Sequence, residues 1–244
     1  MRIILEISYD GTAYCGWQRQ KNGLSVQEVL EDAIFSLTGE RVSTVASGRT
    51  DAGVHALGQI AHFDTNASIP PEKFSYALNS LLPGDIKILK SRLGEDDFHA
   101  RYSAKKKTYA YSFYLSEQKL PLKERYSTRV DKFDLDLANK VCEIFIGEHD
   151  FKCFLSSGSE VKTTVRKIFD AKVYGDGKNG FTFTVTGNGF LYNMVRIMAG
   201  TILAAIDGKI TLDDIKNALL SGDRGAVGKT APSKGLTLVS VVYD

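Results

Sequence analysis

The stretch Arg2-Ile-Ile-Leu-Glu-Ile-Ser-Tyr9 opens the chain and sets the pattern from which the rest of the fold is worked out. Apolar side chains recur there at every second position: Ile3, Leu5, Ile7 and Tyr9. Residues with this spacing share one face of an extended segment, so the stretch predicts a strand with one buried face. A glycine-rich loop follows it.

A helix and further strands complete a first unit. Ser25 and Glu28 have the spacing of a capping box, and the apolar positions after them keep a helical period as far as Gly39. The predicted elements are a strand at 2–9, a helix ending at Gly39, strands near 41–46 and 57–64, a helix beginning at Pro71, and a strand near 85–93. Their order, β-α-β-β-α-β, is the ferredoxin-like order.

The second half of the chain repeats this order in topology but not in sequence. Its predicted elements are a strand near 105–115, a helix near 134–146, strands near 163–174 and 179–187, a helix near 190–206, an extra helix near 212–220, and a final strand from Leu236 to Tyr243. The prediction is an α+β fold of two ferredoxin-like units, residues 1–100 and 101–244. The two units are expected to share one mostly antiparallel sheet with helices on one face.

Composition bounds the class of protein. The 244 residues are 43% hydrophobic and 25% charged, which excludes a disordered chain. The three cysteines form no CxxC pair, so we expect a reducing compartment, the cytoplasm. Glu6 interrupts the first apolar run before it reaches the length of a signal-peptide core. The longest apolar stretch, near 197–206, has about half of the roughly 18 residues that a membrane span needs, so we expect a soluble protein.

Positive charge is concentrated in the second half of the chain. The segment Arg101-Tyr-Ser-Ala-Lys-Lys-Lys107 carries basic residues and no acidic one. The segment is either a stripe that faces phosphates or a solvated strand face, and its charge does not distinguish between these two interpretations. Lys107 and Tyr109 share a face of the strand that follows, an arrangement of cation and ring typical of nucleic-acid binding. Packing within a sheet is the alternative for most of the rings in this strand.

Metal and phosphate-loop chemistry are disfavoured. The histidines and cysteines form no HExxH, CxxC or HxxxH set, so we expect no bound metal. Gly228-Lys229-Thr230 ends like a phosphate-binding loop, but Asp223 stands where that loop requires glycine. The segment also leaves a helix and precedes a strand, the reverse of the required context. Nucleotide hydrolysis is therefore a weak alternative.

The segment Ala46-Ser-Gly-Arg-Thr-Asp-Ala-Gly-Val-His-Ala56, between two predicted strands, is a candidate reactive loop. It carries one carboxylate, Asp51, among small residues, and its glycines allow the backbone to approach a ligand closely. Arg49 adds a cation two residues earlier. A tight turn in which Asp51 caps local amides is the alternative.

Arg196 lies among apolar residues in the predicted helix that begins near residue 190. A guanidinium in such surroundings needs a carboxylate, because a buried charge without a partner is costly. If the partner is Asp51, Arg196 keeps that carboxylate ionised, which suits a nucleophile. A structural role in the core is the alternative.

Five motifs together resemble the tRNA pseudouridine synthase A family, and the resemblance spans essentially the whole chain. They are Gly48-Arg-Thr-Asp-Ala-Gly-Val-His55, Asp10-Gly-Thr-Ala-Tyr-Cys-Gly-Trp-Gln18, Phe98-His-Ala-Arg101, Asn188-Gly-Phe-Leu-Tyr-Asn-Met-Val-Arg196 and Ala231-Pro-Ser-Lys-Gly-Leu236. Ser25 departs from the family pattern, in which threonine is usual, and none of the matching active-site positions is altered.

The resemblance implies an isomerase that converts uridines at positions 38, 39 and 40 of the tRNA anticodon stem-loop to pseudouridine. It implies no metal or organic cofactor, and a homodimer. Asp51 would be the nucleophile, Arg196 its partner, Arg49 the residue that flips the base and Tyr109 the ring that stacks on it. Leu236 or Leu238 would wall the pocket. A non-catalytic RNA-binding module is the competing class, which explains the lysines and tyrosines but not an aspartate in a basic site.

Overall fold

The computed structural model describes residues 1–158 and 161–243. These residues form two compact units. One consists of residues 1–105 together with the segment that begins at Thr237, and the other of Lys106–Leu236. Within the described residues, no helix combines the length and the apolar character needed to cross a bilayer.

The first unit is built on a sheet in which β1 (Arg2–Tyr9) lies at the centre. Its further elements are α1 (Val26–Thr38), β2 (Val45–Ala46), β3 (His55–Asp64), α2 (Phe74–Asn79) and β4 (Ile86–Gly94). The strand β1 is antiparallel to both β3 and β4, and β2 pairs antiparallel with β3. The predicted buried face of β1 is confirmed, because Ile3, Leu5 and Ile7 are fully buried.

The helix α1 begins and ends where the sequence predicts. The Ser25 hydroxyl accepts a hydrogen bond from the Glu28 backbone N–H at 3.2 Å, and Gly39 ends the helix in the left-handed conformation with φ 74°. The Glu28 carboxylate accepts from Arg19 at 3.3 Å, so it takes part in an ion pair. The helix predicted at Pro71 begins as a short 3₁₀ turn, Pro71–Lys73, which leads into α2.

The second unit contains the elements β5 (Lys106–Leu115), α3 (Pro121–Glu124), β6 (Thr128–Val130), α4 (Leu135–Phe145), β7 (Gly147–Asp150), β8 (Val165–Gly175), β9 (Gly180–Gly187), α5 (Met194–Ile206) and α6 (Leu212–Ser221). In this unit the sheet follows the strand order β5-β9-β8-β7, and each neighbouring pair of strands in this order is antiparallel. The helices α4 and α5 contact each other, and they contact β8 and β5 respectively, so both lie on the same face of this sheet. The sequence patterns did not predict the short elements α3, β6 and β7.

The final strand, β10 (Leu236–Val242), pairs in parallel with β3. Thr237 lies opposite His55 and Leu238 lies opposite Ala56, which makes this strand part of the sheet of the first unit. In sequence order it stands where the second ferredoxin-like repeat would close. The α+β class, with a mostly antiparallel sheet and helices in each unit, is confirmed.

Candidate active site

The loop between β2 and β3, residues Ser47 to Val54, is called the aspartate loop below. Its first residues are held by hydrogen bonds to the side chain of Gln59, on β3. The Ser47 hydroxyl donates to Gln59 Oε1 at 2.6 Å, and Gln59 Nε2 donates to the Gly48 carbonyl at 2.9 Å. Ser47 and Gln59 are both fully buried. The start of the loop is therefore fixed to the sheet by side chains that water does not reach.

Thr50 anchors the middle of the aspartate loop. Its hydroxyl is hydrogen-bonded to the Tyr9 hydroxyl at 2.8 Å, and its carbonyl accepts from the Trp17 backbone N–H at 3.1 Å. Burial raises the pKa of Tyr9 to about 12, so the phenol keeps its proton at neutral pH. Thr50 is thereby held on both its side chain and its backbone.

Two glycines of the Asp10–Gln18 motif let this segment approach the aspartate loop. A Cβ at Gly16, where φ is 105°, would lie 2.5 Å from the Thr50 carbonyl oxygen. A Cβ at Gly11 would lie 2.0 Å from the Val54 carbonyl oxygen. Both distances are too short for any side chain, so the motif serves as a second support for the loop.

Between these anchors the two charged residues of the loop remain accessible. Arg49 is exposed and Asp51 is half-buried. The Asp51 carbonyl accepts from the Val54 backbone N–H at 3.1 Å, and Gly53 adopts φ 76° in the turn that results. The structure thus brings Arg49 and Asp51 together in one rigidly supported loop of the first unit.

Tyr109 lies on β5 in the second unit, opposite Val185 of β9. Its ring packs edge-to-face against Phe190 with the centroids 5.2 Å apart, and the residue is 8% exposed. Tyr111, two residues on, is fully buried, and its hydroxyl is 2.7 Å from both the Thr128 hydroxyl and the Pro232 carbonyl. Burial raises the pKa of Tyr111 to about 12. Tyr111 is therefore a core residue. This agrees with the alternative that most aromatic rings of this strand pack within the sheet and do not bind nucleic acid.

Arg196 lies in the first turn of α5, which begins at Met194 and not near residue 190. The delay has a local cause, since Asn193 adopts the left-handed conformation with φ 62° and cannot belong to the helix. Asn193 Oδ1 accepts from Arg196 Nη1 at 2.7 Å, while Asn193 Nδ2 donates to Ser156 Oγ at 3.0 Å. Arg196 Nε donates to the Ala231 carbonyl at 2.8 Å. Two acceptors thus orient the half-buried guanidinium.

The glycine-rich segment near the C-terminus packs against α5. A Cβ at Gly200 would lie 1.7 Å from the Lys229 carbonyl oxygen, and the Gly228 N–H donates to the Thr201 hydroxyl at 3.0 Å. The Ala231 N–H donates to the Arg196 carbonyl at 3.1 Å. Gly228-Lys229-Thr230 is therefore a packing segment that fixes the acceptor of Arg196, which leaves the phosphate-loop alternative without support.

Basic and aromatic side chains of the 101–107 segment are exposed. In the first unit, the Arg101 guanidinium lies over the ring of Tyr102, which is 77% exposed, and Lys105 is exposed. The His99 ring supports this turn by accepting at Nδ1 from the backbone N–H groups of Arg101 and Tyr102, at 3.1 and 3.2 Å. The segment therefore presents cations and a ring to solvent.

No group of three or more histidine, cysteine, aspartate or glutamate residues is placed to hold a metal ion in the part of the chain that the structure describes. The sequence reasoning missed the supports of the site: Gln59, Tyr9, Asn193 and Ala231. Gln59 carried a signal, since it is polar at a position that shares the buried face of β3 with Ala61 and Phe63.

Known proteins match this chain over essentially its whole length. The family model described as tRNA pseudouridine synthase matches residues 6–103 and 141–244. The chain is 48% identical to the tRNA pseudouridine synthase A of Caldicellulosiruptor bescii and 51% identical to that of Caldicellulosiruptor saccharolyticus, with 99% of both chains covered in each case. A solved Cbf5-Nop10-Gar1 complex matches at a TM-score of 0.38 and 13% identity, over 97% of this chain but 48% of that chain.

The full-length matches define the class as an isomerase that acts on RNA. The chain belongs to the tRNA pseudouridine synthase family. The alternative of a non-catalytic RNA-binding module receives no support from these matches.

Proposed function

We propose that this chain converts the uridines at positions 38, 39 and 40 of the tRNA anticodon stem-loop to pseudouridine. Membership of the family supports tRNA as the substrate. The observation that carries the proposal is the aspartate loop, which is anchored at Ser47, Gly48 and Thr50 while Arg49 and Asp51 stay accessible. We further propose that the protein acts as a homodimer in the cytoplasm, without a metal or an organic cofactor.

Asp51 is the nucleophile in this proposal. Pseudouridine forms when the C1′–N1 bond breaks, the uracil turns, and C1′ rejoins the base through C5, which then loses its proton. The carboxylate supplies an electron pair for a covalent adduct with the nucleotide and leaves when the new carbon–carbon bond is made, so no co-reactant is consumed. The detached base must be kept from water during the turn.

Arg196 pairs with Asp51 in this proposal and keeps the carboxylate ionised. Its hydrogen bonds to Ala231 and Asn193 support the role, because they fix the plane of the guanidinium, and a planar guanidinium so oriented suits a carboxylate. Arg49 helps to extrude the target base from the stack, a step that costs a few kcal/mol. The exposure of Arg49 in the aspartate loop supports this role.

Tyr109 stacks on the target base. Because stacking needs the ring and not the hydroxyl, Tyr109→Phe should keep substantial activity, whereas Tyr109→Leu should lose about 10- to 100-fold in kcat/KM, the equivalent of one base stack. Tritium release from labelled tRNA measures both. Tyr174→Leu, an exposed ring on β8, is the control and should leave activity unchanged. Complete inactivation of Tyr109→Phe would instead assign a role to the hydroxyl.

Phosphate binding by the 101–107 segment should appear in the salt dependence of the affinity for tRNA. Replacing Arg101 and Lys105 by glutamine is expected to weaken tRNA binding and to reduce the slope of log Kd against log salt by about one unit for each phosphate that the variant no longer neutralises. Filter binding over a range of salt concentrations measures the slope. Lys216→Gln, an exposed lysine on α6, is the matched control. An unchanged slope in the double variant would show that the 101–107 segment does not contact phosphates and is simply a solvated surface.

The positions modified are tested with tRNA transcripts that carry tritium at C5 of every uridine. One transcript has uridines at positions 38 to 40, and a matched transcript has cytidines there. Tritium release from the first alone, with purified protein and no added cofactor, is the expected result. Release from both transcripts would place the reaction elsewhere in the tRNA. Sedimentation of the same protein tests the homodimer.

A further inference from the structure

Gln59 lies on the buried face of β3, among side chains that are mostly apolar. It is fully buried and stands opposite Ile7 of β1. A buried carboxamide is costly unless its donors and its acceptor are satisfied. Its carboxamide is hydrogen-bonded to Ser47 and to Gly48, the first two residues of the aspartate loop.

We propose that Gln59 is a positioning residue for the reaction. It holds the segment that leads into Arg49 and Asp51, so that Asp51 meets the nucleotide in a single orientation. This inference rests on the proposed role of Asp51 as the nucleophile. Gln59 itself is too deeply buried to touch the substrate, and it acts through the loop.

The contacts of Gln59 fix the backbone that leads into the two charged residues. Its Oε1 accepts from the Ser47 hydroxyl, and its Nε2 donates to the Gly48 carbonyl. A separate anchor follows Arg49, because the Tyr9 hydroxyl is hydrogen-bonded to the Thr50 hydroxyl at 2.8 Å. The anchored positions thus precede and follow Arg49 and end immediately before Asp51. An error in the placement of this backbone is transmitted directly to the carboxylate.

A glutamine is the side chain that this position requires. Its amide carries an acceptor oxygen and N–H donors on one planar group, and both kinds are used here: Oε1 accepts from Ser47 and Nε2 donates to the Gly48 carbonyl. An ionised glutamate offers acceptors only, and it would face the Gly48 carbonyl with a negative charge. Methionine matches the length of glutamine without donating or accepting in the same way. These two substitutions therefore remove the anchoring while nearly preserving the volume.

The first test separates positioning from folding. Gln59→Met should lower kcat about 100-fold, because small displacements of a catalytic group have effects of this size, while the Kd for tRNA changes less than about threefold. The double variant Ser47→Ala/Gln59→Met removes both partners of one buried hydrogen bond and should recover much of the lost melting temperature. It should not recover kcat, because the Gly48 carbonyl is still not held.

A kcat for Gln59→Met within about threefold of the parent protein would overturn the positioning role, since misplacement costs far more. So would a kcat that recovers in step with the melting temperature in the double variant, since that would mark an ordinary effect on stability. If Gln59→Met does not fold, the double variant and Gln59→Glu decide the question.

The second test uses Gln59→Glu and a pH profile. When protonated, the introduced carboxyl donates to the Gly48 carbonyl, and when ionised it repels it. Burial raises the pKa of a carboxyl, so kcat for this variant should rise relative to the parent as the pH falls from about 8 to about 6. A profile parallel to that of the parent protein would contradict the positioning role.

The parent protein and Asp51→Asn are measured beside these variants in the same tritium assay. An inactive parent, or an active Asp51→Asn, would overturn the proposed function and with it this inference. An active parent, an inactive Asp51→Asn and an unaffected Gln59→Met would overturn the positioning role alone.

Discussion

Asp51→Asn is expected to abolish tritium release from tRNA while leaving tRNA binding intact. Loss of a covalent nucleophile costs about 10⁴-fold or more in kcat, and asparagine keeps the shape of the side chain but is neutral and a far weaker nucleophile than a carboxylate. The loop should keep its conformation, because its anchors are Ser47, Gly48 and Thr50. We therefore expect the Kd for tRNA to change by less than about threefold, since the binding surface is unaltered.

Two controls make this result decisive. Asp97→Asn, on the exposed loop after β4, removes the same charge at a distance from the aspartate loop in sequence and should retain full activity. Asp51→Ala excludes a trace of activity that arises when asparagine deamidates back to aspartate. A parallel loss of kcat and of binding in Asp51→Asn would contradict a purely chemical role. Activity of a few per cent in Asp51→Ala would remove Asp51 from the chemistry.

The secondary structure was largely predictable because its signals are local. The alternation in Arg2–Tyr9, the cap at Ser25 and the stop at Gly39 each depend on residues a few positions apart. The parallel pairing of β10 with β3 has no such signal. It joins segments separated by most of the chain, and which strand a segment pairs with is decided by tertiary packing.

The sequence singles out the proposed reactive groups of the candidate site but not the residues that support them. Asp51 and Arg49 stand out because charged residues are unusual in a short loop of small residues. Gln59 was readable in principle, as a polar residue on a strand face whose next members are Ala61 and Phe63. The left-handed Asn193 was not, since asparagine adopts both helical and left-handed conformations, and its side chain contacts Ser156, which is distant in sequence.

The close packing of α5 against the 227–231 segment makes Gly200 a critical residue. Glycine inside a helix is normally less stable than alanine by about 1 kcal/mol, so its presence in α5 needs a physical reason. The reason is the Lys229 carbonyl, which would lie 1.7 Å from an added Cβ. Backbone, and not a flexible side chain, occupies that space, so accommodation requires the 227–231 segment to move away from the helix.

Gly200→Ala is therefore expected to lower the free energy of unfolding by about 3 kcal/mol or more, at the upper end of the cost of overpacking. The displaced segment carries the Ala231 carbonyl that accepts from Arg196, so the molecules that still fold should also lose kcat. Denaturant unfolding and tritium release measure the two effects. Gly84→Ala, where an added Cβ meets no atom within 4 Å, is the control and should be neutral or slightly stabilising. Full stability with normal kcat in Gly200→Ala would show that the 227–231 segment moves without cost. It would also show that the position of this segment does not determine the placement of Arg196.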